Sequence, residues 1–137
     1  MDGKHRVFIV DDDQDLVEIM RSVMEAAGYE VVTAGSAREA MERMEAASPH
    51  VILLDVMMED TVAGFRVVNF LRDFETYPQN RKYEKIPIMM LTSIQQRTGM
   101  KFSQDAGSRL LPIDAFIEKP IKPRALLDRV AQLLAQQ

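Results

Sequence analysis

Apolar runs and helical stripes take turns along this chain. Val7 to Val10 is a four-residue apolar run, which predicts a first strand. Leu16, Ile19, Met20, Val23 and Ala27 then recur at helical spacing, and Gly28 follows as a stop signal. Tyr29 to Thr33 is a short β-branched run and predicts a second strand. Ser36 and Glu39 have the spacing of a capping box, ahead of a stripe of Ala37, Ala40, Met41 and Met44. Val51 to Leu54 reads as the third strand, and Phe65, Val68 and Leu71 mark the third helix. Ile86 to Leu91 and Ala115 to Glu118 supply the fourth and fifth strands. Pro123 stands where a first helical turn tolerates it, before the stripe Leu126, Leu127, Val130, Leu133 and Leu134.

Strand and helix in alternation define an α/β protein. Runs that are apolar on both faces predict parallel strands covered on both sides. Right-handed crossovers then leave few topologies for a doubly wound, five-stranded open sheet. Two stretches exceed the usual connection length. Glu75 to Lys85 is polar and carries a proline. Ile94 to Asp114 is expected to hold a fourth helix capped by Ser103, although Gly99, Gly107 and Pro112 oppose a long regular element. With no linker and no internal repeat, residues 1–137 are expected to form one domain without a separate output domain.

Composition narrows the function classes. The chain has 137 residues, 47% of them hydrophobic, enough for a single core. Its formal charge is -4 and no block of Lys and Arg occurs, so neither nucleic acid nor membrane is the expected partner. It has no cysteine, which removes disulfides, thiolate catalysis and Cys-based zinc sites. No apolar run reaches transmembrane length and the N-terminus does not read as a signal peptide, so a soluble cytoplasmic protein is expected.

The stretch "RVFIVDDDQD" runs a buried-type strand directly into three adjacent aspartates. Two like charges about 4 Å apart repel by roughly 4 kcal/mol at an effective dielectric of 20. Such crowding is either a solvated turn or a cradle for a cation. In an open parallel sheet, ligands sit beyond the carboxyl ends of the strands. Asp11 and Asp12 follow the first strand, Asp55 the third, Thr92 the fourth and Lys119 the fifth, with Pro120 next. Alone, each has a plainer reading: turn, helix cap, strand-end hydroxyl or surface charge. Asp13 is the expected cap of the first helix. Together, three carboxylates, a hydroxyl and an ammonium suit a hard divalent cation and a phosphoryl group.

The set "FIVDDD", "VILLDV", "IMMLTS" and "FIEKP" resembles, along the whole chain, the receiver domain of bacterial two-component response regulators. The resemblance implies a flavodoxin-like sheet of strand order 2-1-3-4-5. It implies that Asp55 accepts a phosphoryl group from a histidine kinase. It further implies that Asp11, Asp12, Asp55 and the backbone carbonyl of Met57 hold Mg²⁺, that Lys119 pairs with the acceptor, and that Thr92 and Phe116 form the switch. The implied protein is a signalling switch, an enzyme only toward its own phosphorylation and dephosphorylation. Its target would bind the face built from the fourth helix, fifth strand and last helix. Neither kinase nor target is legible, and homodimer formation is left open. Two alternatives stand beside this reading. One is a degenerate receiver that binds partners without phosphorylation. The other is an aspartyl-nucleophile phosphatase, opposed by Met57 standing where such enzymes place a second acid.

The loop after Asp55 departs from the family pattern. Glu59 replaces the usual proline, Gly64 comes one residue late, and Glu59 and Asp60 add acids near the site. Met57 and Ile94, two residues after Asp55 and Thr92, are apolar and cannot orient an attacking water, which predicts slow self-dephosphorylation. His5 and His50 lack ligand spacing and are expected at the surface or at strand entries. The ten methionines are expected to fill the core.

Overall fold

The alternating runs and stripes assemble into one parallel sheet with helices on both faces. The structure, a computed structural model, describes residues 4–55, 63–92 and 114–136. Its elements follow in the order β1 (Arg6–Val10), α1 (Gln14–Ala26), β2 (Glu30–Ala34), α2 (Ala37–Ala47), β3 (Val51–Asp55) and α3 (Ala63–Arg72). A 3-10 helix (Pro78–Tyr83), β4 (Ile88–Thr92), β5 (Ala115–Glu118) and α4 (Pro123–Ala135) complete them. The strands are all parallel, in the order β2-β1-β3-β4-β5. The order reverses between β1 and β3, so the crevice of this flavodoxin-like sheet opens at their carboxyl ends.

Strand alternation divides the core in two. Phe8, Val10, Ile52, Leu54, Ile88 and Met90 pack with residues of α2 and α3. Val7, Ile9, Val51, Leu53, Met89 and Leu91 pack with residues of α1 and α4. Each such side chain, fully buried, contributes about 1.5–3 kcal/mol by leaving water. That double burial is why these strands read as unbroken apolar runs.

Local signals fix the helix ends. Asp13 Oδ1 accepts from Leu16 N–H at 3.1 Å and caps α1, as expected. Beyond α1, Gly28 adopts φ 98°, while Gly28 N–H donates to Glu25 O and Tyr29 N–H to Met24 O. This pair of bonds closes the last turn and requires a left-handed residue. Ser36 Oγ accepts from Glu39 N–H at 3.1 Å. Glu39 Oε1 turns to Gly35 N–H at 2.7 Å, one residue upstream of the usual capping-box partner.

Several expectations shift. The buried stripe of α1 is centred on Val17, Met20 and Met24, while Ile19 is 56% exposed and Ala27 faces water. A 3.6-residue period fits either phase here, and packing selects the one that buries more bulk. β4 starts at Ile88, since Pro87 has no N–H to contribute to the ladder. The connection from Glu75 to Lys85 contains the 3-10 helix, with Asn80 buried and donating to Phe70 O at 2.8 Å. The helix expected between Ile94 and Asp114 lies outside the described residues, as does the loop carrying Glu59 and Asp60.

Candidate functional site

Four strand ends bring the predicted residues together. Asp11 follows β1 directly, and its N–H still bonds Ala34 O of β2 at 3.1 Å. Its side chain is therefore fixed by the ladder, and it is wholly buried. Asp11 Oδ1 accepts from Asp13 N–H at 3.0 Å. Oδ2 is buried without a hydrogen-bond partner. Its nearest described cation is the Lys119 ammonium at 3.4 Å, an ion pair without hydrogen-bond alignment. Asp55 ends β3 opposite Leu91 and is 2% exposed. Lys119 follows β5; its N–H donates to Thr92 O at 2.6 Å, and its Nζ donates to Asp55 Oδ1 at 3.2 Å. Asp12 is exposed, yet one oxygen each from Asp11, Asp12 and Asp55 lies within 4.8 Å of the others.

The electrostatics follow from burial. Desolvation, helped by the neighbouring Asp11 charge, pushes the Asp55 carboxyl from 3.8 to about 7 despite the nearby ammonium. Desolvation also raises Asp11, against the opposing pull of the Asp13 N–H and Lys119. Burial alone would lower Lys119, but the Asp11 and Asp55 carboxylates outweigh it and leave that pKa raised. One ammonium thus serves two buried acids, with a third beside them. An orphaned buried oxygen among hard oxygen donors fits a small divalent cation well.

Thr92 closes β4 and is fully buried. In the β4–β5 register Met90 lies opposite Phe116 and Thr92 opposite Glu118. Phe116 is half-buried and packs against the α2–α3 side of the core. Thr92 and Phe116 therefore share one face of the sheet. Met57, expected to offer its carbonyl, lies outside the described residues, as does Ile94.

Some further polar contacts escaped the sequence reading. Arg72, at the end of α3, has a side chain only 13% exposed. It donates to Tyr83 O at 3.0 Å and to Ile86 O, and approaches Asp114 Oδ2 at 3.8 Å. Nothing in a last-turn arginine distinguishes this from a solvated charge. His5 and His50, far apart in sequence, meet as an edge-on ring pair 5.0 Å between centroids. His50 Nδ1 accepts from Arg6 N–H at 2.9 Å, the strand-entry role expected of it.

Fold and site together define a class: a flavodoxin-like α/β protein with an acid–lysine pocket at the carboxyl ends of its strands. Residues 7–131 match the family model described as the response regulator receiver domain, and the chain belongs to that family. It is a receiver domain of two-component signalling. Among curated relatives it is 30% identical over 130 residues to the response regulator SaeR of Staphylococcus epidermidis, covering 95% of this chain and 50% of that one. It is 29% identical over 129 residues to the alkaline phosphatase synthesis transcriptional regulatory protein PhoP of Bacillus subtilis, covering 94% and 48%. The chain thus spans about half the length of the curated relatives it matches. Among solved structures, chemotaxis response regulator CheY4 of Vibrio cholerae superposes with TM-score 0.73 at 28% identity, covering 95% of this chain and 98% of that one. A CheY-like receiver domain protein of Methanospirillum hungatei does so with TM-score 0.72 at 27% identity, covering 98% and 96%. No helix among the described residues is long and apolar enough to cross a membrane.

Proposed function

We propose that Asp55 is the phosphoacceptor of a signalling switch driven by a histidine kinase. The observation that carries this reading is the Lys119 ammonium, 3.2 Å from Asp55 and 3.4 Å from Asp11. Asp11, Asp12, Asp55 and the Met57 carbonyl would hold Mg²⁺. The bound ion would supply charge neutralisation and alignment for a phosphoryl group. An Asp55 oxygen attacks phosphorus, the bond from phosphorus to the kinase imidazole nitrogen breaks, and the imidazole leaves. Lys119 offsets charge on the phosphoryl oxygens during transfer. Asp11, held by the Asp13 N–H, keeps its other oxygen turned into the pocket.

Once formed, the aspartyl phosphate presents strong acceptor oxygens. The Thr92 hydroxyl bonds one of them, and Phe116 moves into the space this vacates. The outcome is a shift between two packings of the surface formed by β5, α4 and the segment joining β4 to β5. A downstream protein reads that surface. The reading is tested by incubation with Mg²⁺ and a small acyl phosphate, followed by intact-mass spectrometry. One base-labile phosphoryl group appears, and it disappears in Asp55→Asn. Steady phosphate turnover would instead mark a phosphatase, and no adduct with any donor, kinase included, a phosphorylation-independent binding module.

A further inference from the structure

We propose that Asp114, steadied by Arg72, is a positioning residue for Lys119: it fixes the register of β5 on β4 and so delivers the ammonium to Asp55. This role rests on the phosphoacceptor reading above. β5 stands at one end of the strand order, is four residues long, and pairs with β4. A short edge strand has few ladder bonds to hold it in register. A slip of one residue would move Lys119 by about 3.3 Å and turn alternate side chains to the other face. The acid–lysine contacts of the pocket tolerate no such error.

Two anchors hold this strand. At its carboxyl end Lys119 N–H donates to Thr92 O at 2.6 Å. At its start Asp114 makes a two-point grip on Ile88 of β4. Asp114 N–H donates to Ile88 O at 2.9 Å, and Ile88 N–H donates to Asp114 Oδ2 at 2.9 Å. A side-chain carboxylate thus ends the ladder where a backbone carbonyl ordinarily would. The carboxylate is itself oriented, because Arg72 lies 3.8 Å away with its guanidinium tied to the carbonyls of Tyr83 and Ile86. Asp114 is distant from the acids in the fold, at the amino end of the strand whose carboxyl end carries Lys119. Its influence on chemistry must pass through that lysine.

The test is a double-mutant cycle on the rate of phosphorylation by acetyl phosphate at saturating Mg²⁺, read by intact mass. Asp114→Ala slows the reaction on the order of tenfold, the scale of a small misplacement of a reacting group. Asp114→Asn, which keeps an acceptor oxygen for Ile88 but loses the ion pair, stays within about threefold of wild type. In a Lys119→Ala background, Asp114→Ala brings no further loss. Arg72→Gln keeps a donor for the carbonyls but loses the ion pair, and gives about a threefold loss through the same cycle. The test therefore does not depend on the alanine variant folding. A wild-type rate in Asp114→Ala overturns the role, as does an equal loss persisting without Lys119, which would mark a purely structural residue. A wild-type chain that takes no phosphoryl group overturns the phosphoacceptor reading and this role with it.

Discussion

Replacing Asp55 by asparagine is expected to stabilise the protein in the absence of metal. Asp55 is 2% exposed, sits against Asp11, and has its pKa raised from 3.8 to about 7. A carboxyl that holds its proton more tightly folded than unfolded loses stability as pH rises. The loss begins near pH 4, where the unfolded chain releases its proton, and is complete just above pH 7. A shift of about three pK units corresponds to roughly 4 kcal/mol at 1.36 kcal/mol per unit. Asparagine, a neutral stand-in for the protonated acid, escapes this cost; the pull of Lys119 on the carboxylate is already contained in the net shift. The gain expected above pH 7 is therefore at most about 4 kcal/mol, a rise of several degrees or more in Tm. Urea unfolding with a chelator present, at pH 5, 7 and 8, measures it. The gain should be smaller at pH 5, roughly a third to a half of its full size, and largest at pH 8. Adding magnesium should raise wild-type stability by mass action and narrow the gap. Equal or lower stability of Asp55→Asn at pH 8, or a difference from wild type that does not grow between pH 5 and pH 8, would refute the reasoning.

Further outcomes follow from single contacts. Lys119→Met should slow phosphorylation by a small donor at least tenfold, read by intact mass, because Asp11 and Asp55 then face the donor without a described cation. Met57→Gln and Ile94→Glu should shorten the lifetime of the phosphorylated form; unchanged lifetimes would remove the water-orientation argument for slow dephosphorylation. Ser36→Ala should cost about 1 kcal/mol in urea unfolding, through loss of the cap on Glu39 N–H. Burial and the neighbouring His5 and Arg6 lower the His50 pKa below 6.5, so its contribution is present above pH 6.5 and lost on acidification. His50→Asn should flatten that acid limb in a stability-against-pH series.

The central strands β1, β3 and β4 were legible because they are buried on both faces, and a doubly covered strand must be apolar throughout. The acids were legible for the same reason: three aspartates cannot follow such a run without a purpose or a penalty. Thr92 and Lys119 carry no signal of their own. They become informative only once the parallel order puts the ends of β3, β4 and β5 side by side. The pairing of Arg72 with Asp114 stayed hidden because it joins a last-turn cation to an acid at a strand entry, two positions where solvated charge is normal. The 3-10 helix was missed because three residues per turn leaves no amphipathic stripe of period 3.6. His5 and His50 come together through the pairing of β1 with β3, which no local spacing encodes.

Instability and chemistry in this receiver domain have one source. The ladder bond from Asp11 N–H to Ala34 O and the end position of Asp55 in β3 force two carboxylates into a region that excludes water. One ammonium, delivered by the edge strand, cannot satisfy both, and Asp11 Oδ2 is left without a hydrogen bond. A pocket in that condition gains free energy from any ligand that adds positive charge, and loses it when the charge departs. Burial that costs folding stability therefore also favours a cation in the pocket, and under the proposed function that cation would let an anionic phosphoryl donor approach Asp55. Exchanging Asp11 for an apolar residue would relieve the strain in charge and remove the attraction together. The same substitution should hence raise the melting temperature in a chelator while lowering magnesium affinity, two effects of opposite sign from one carboxylate.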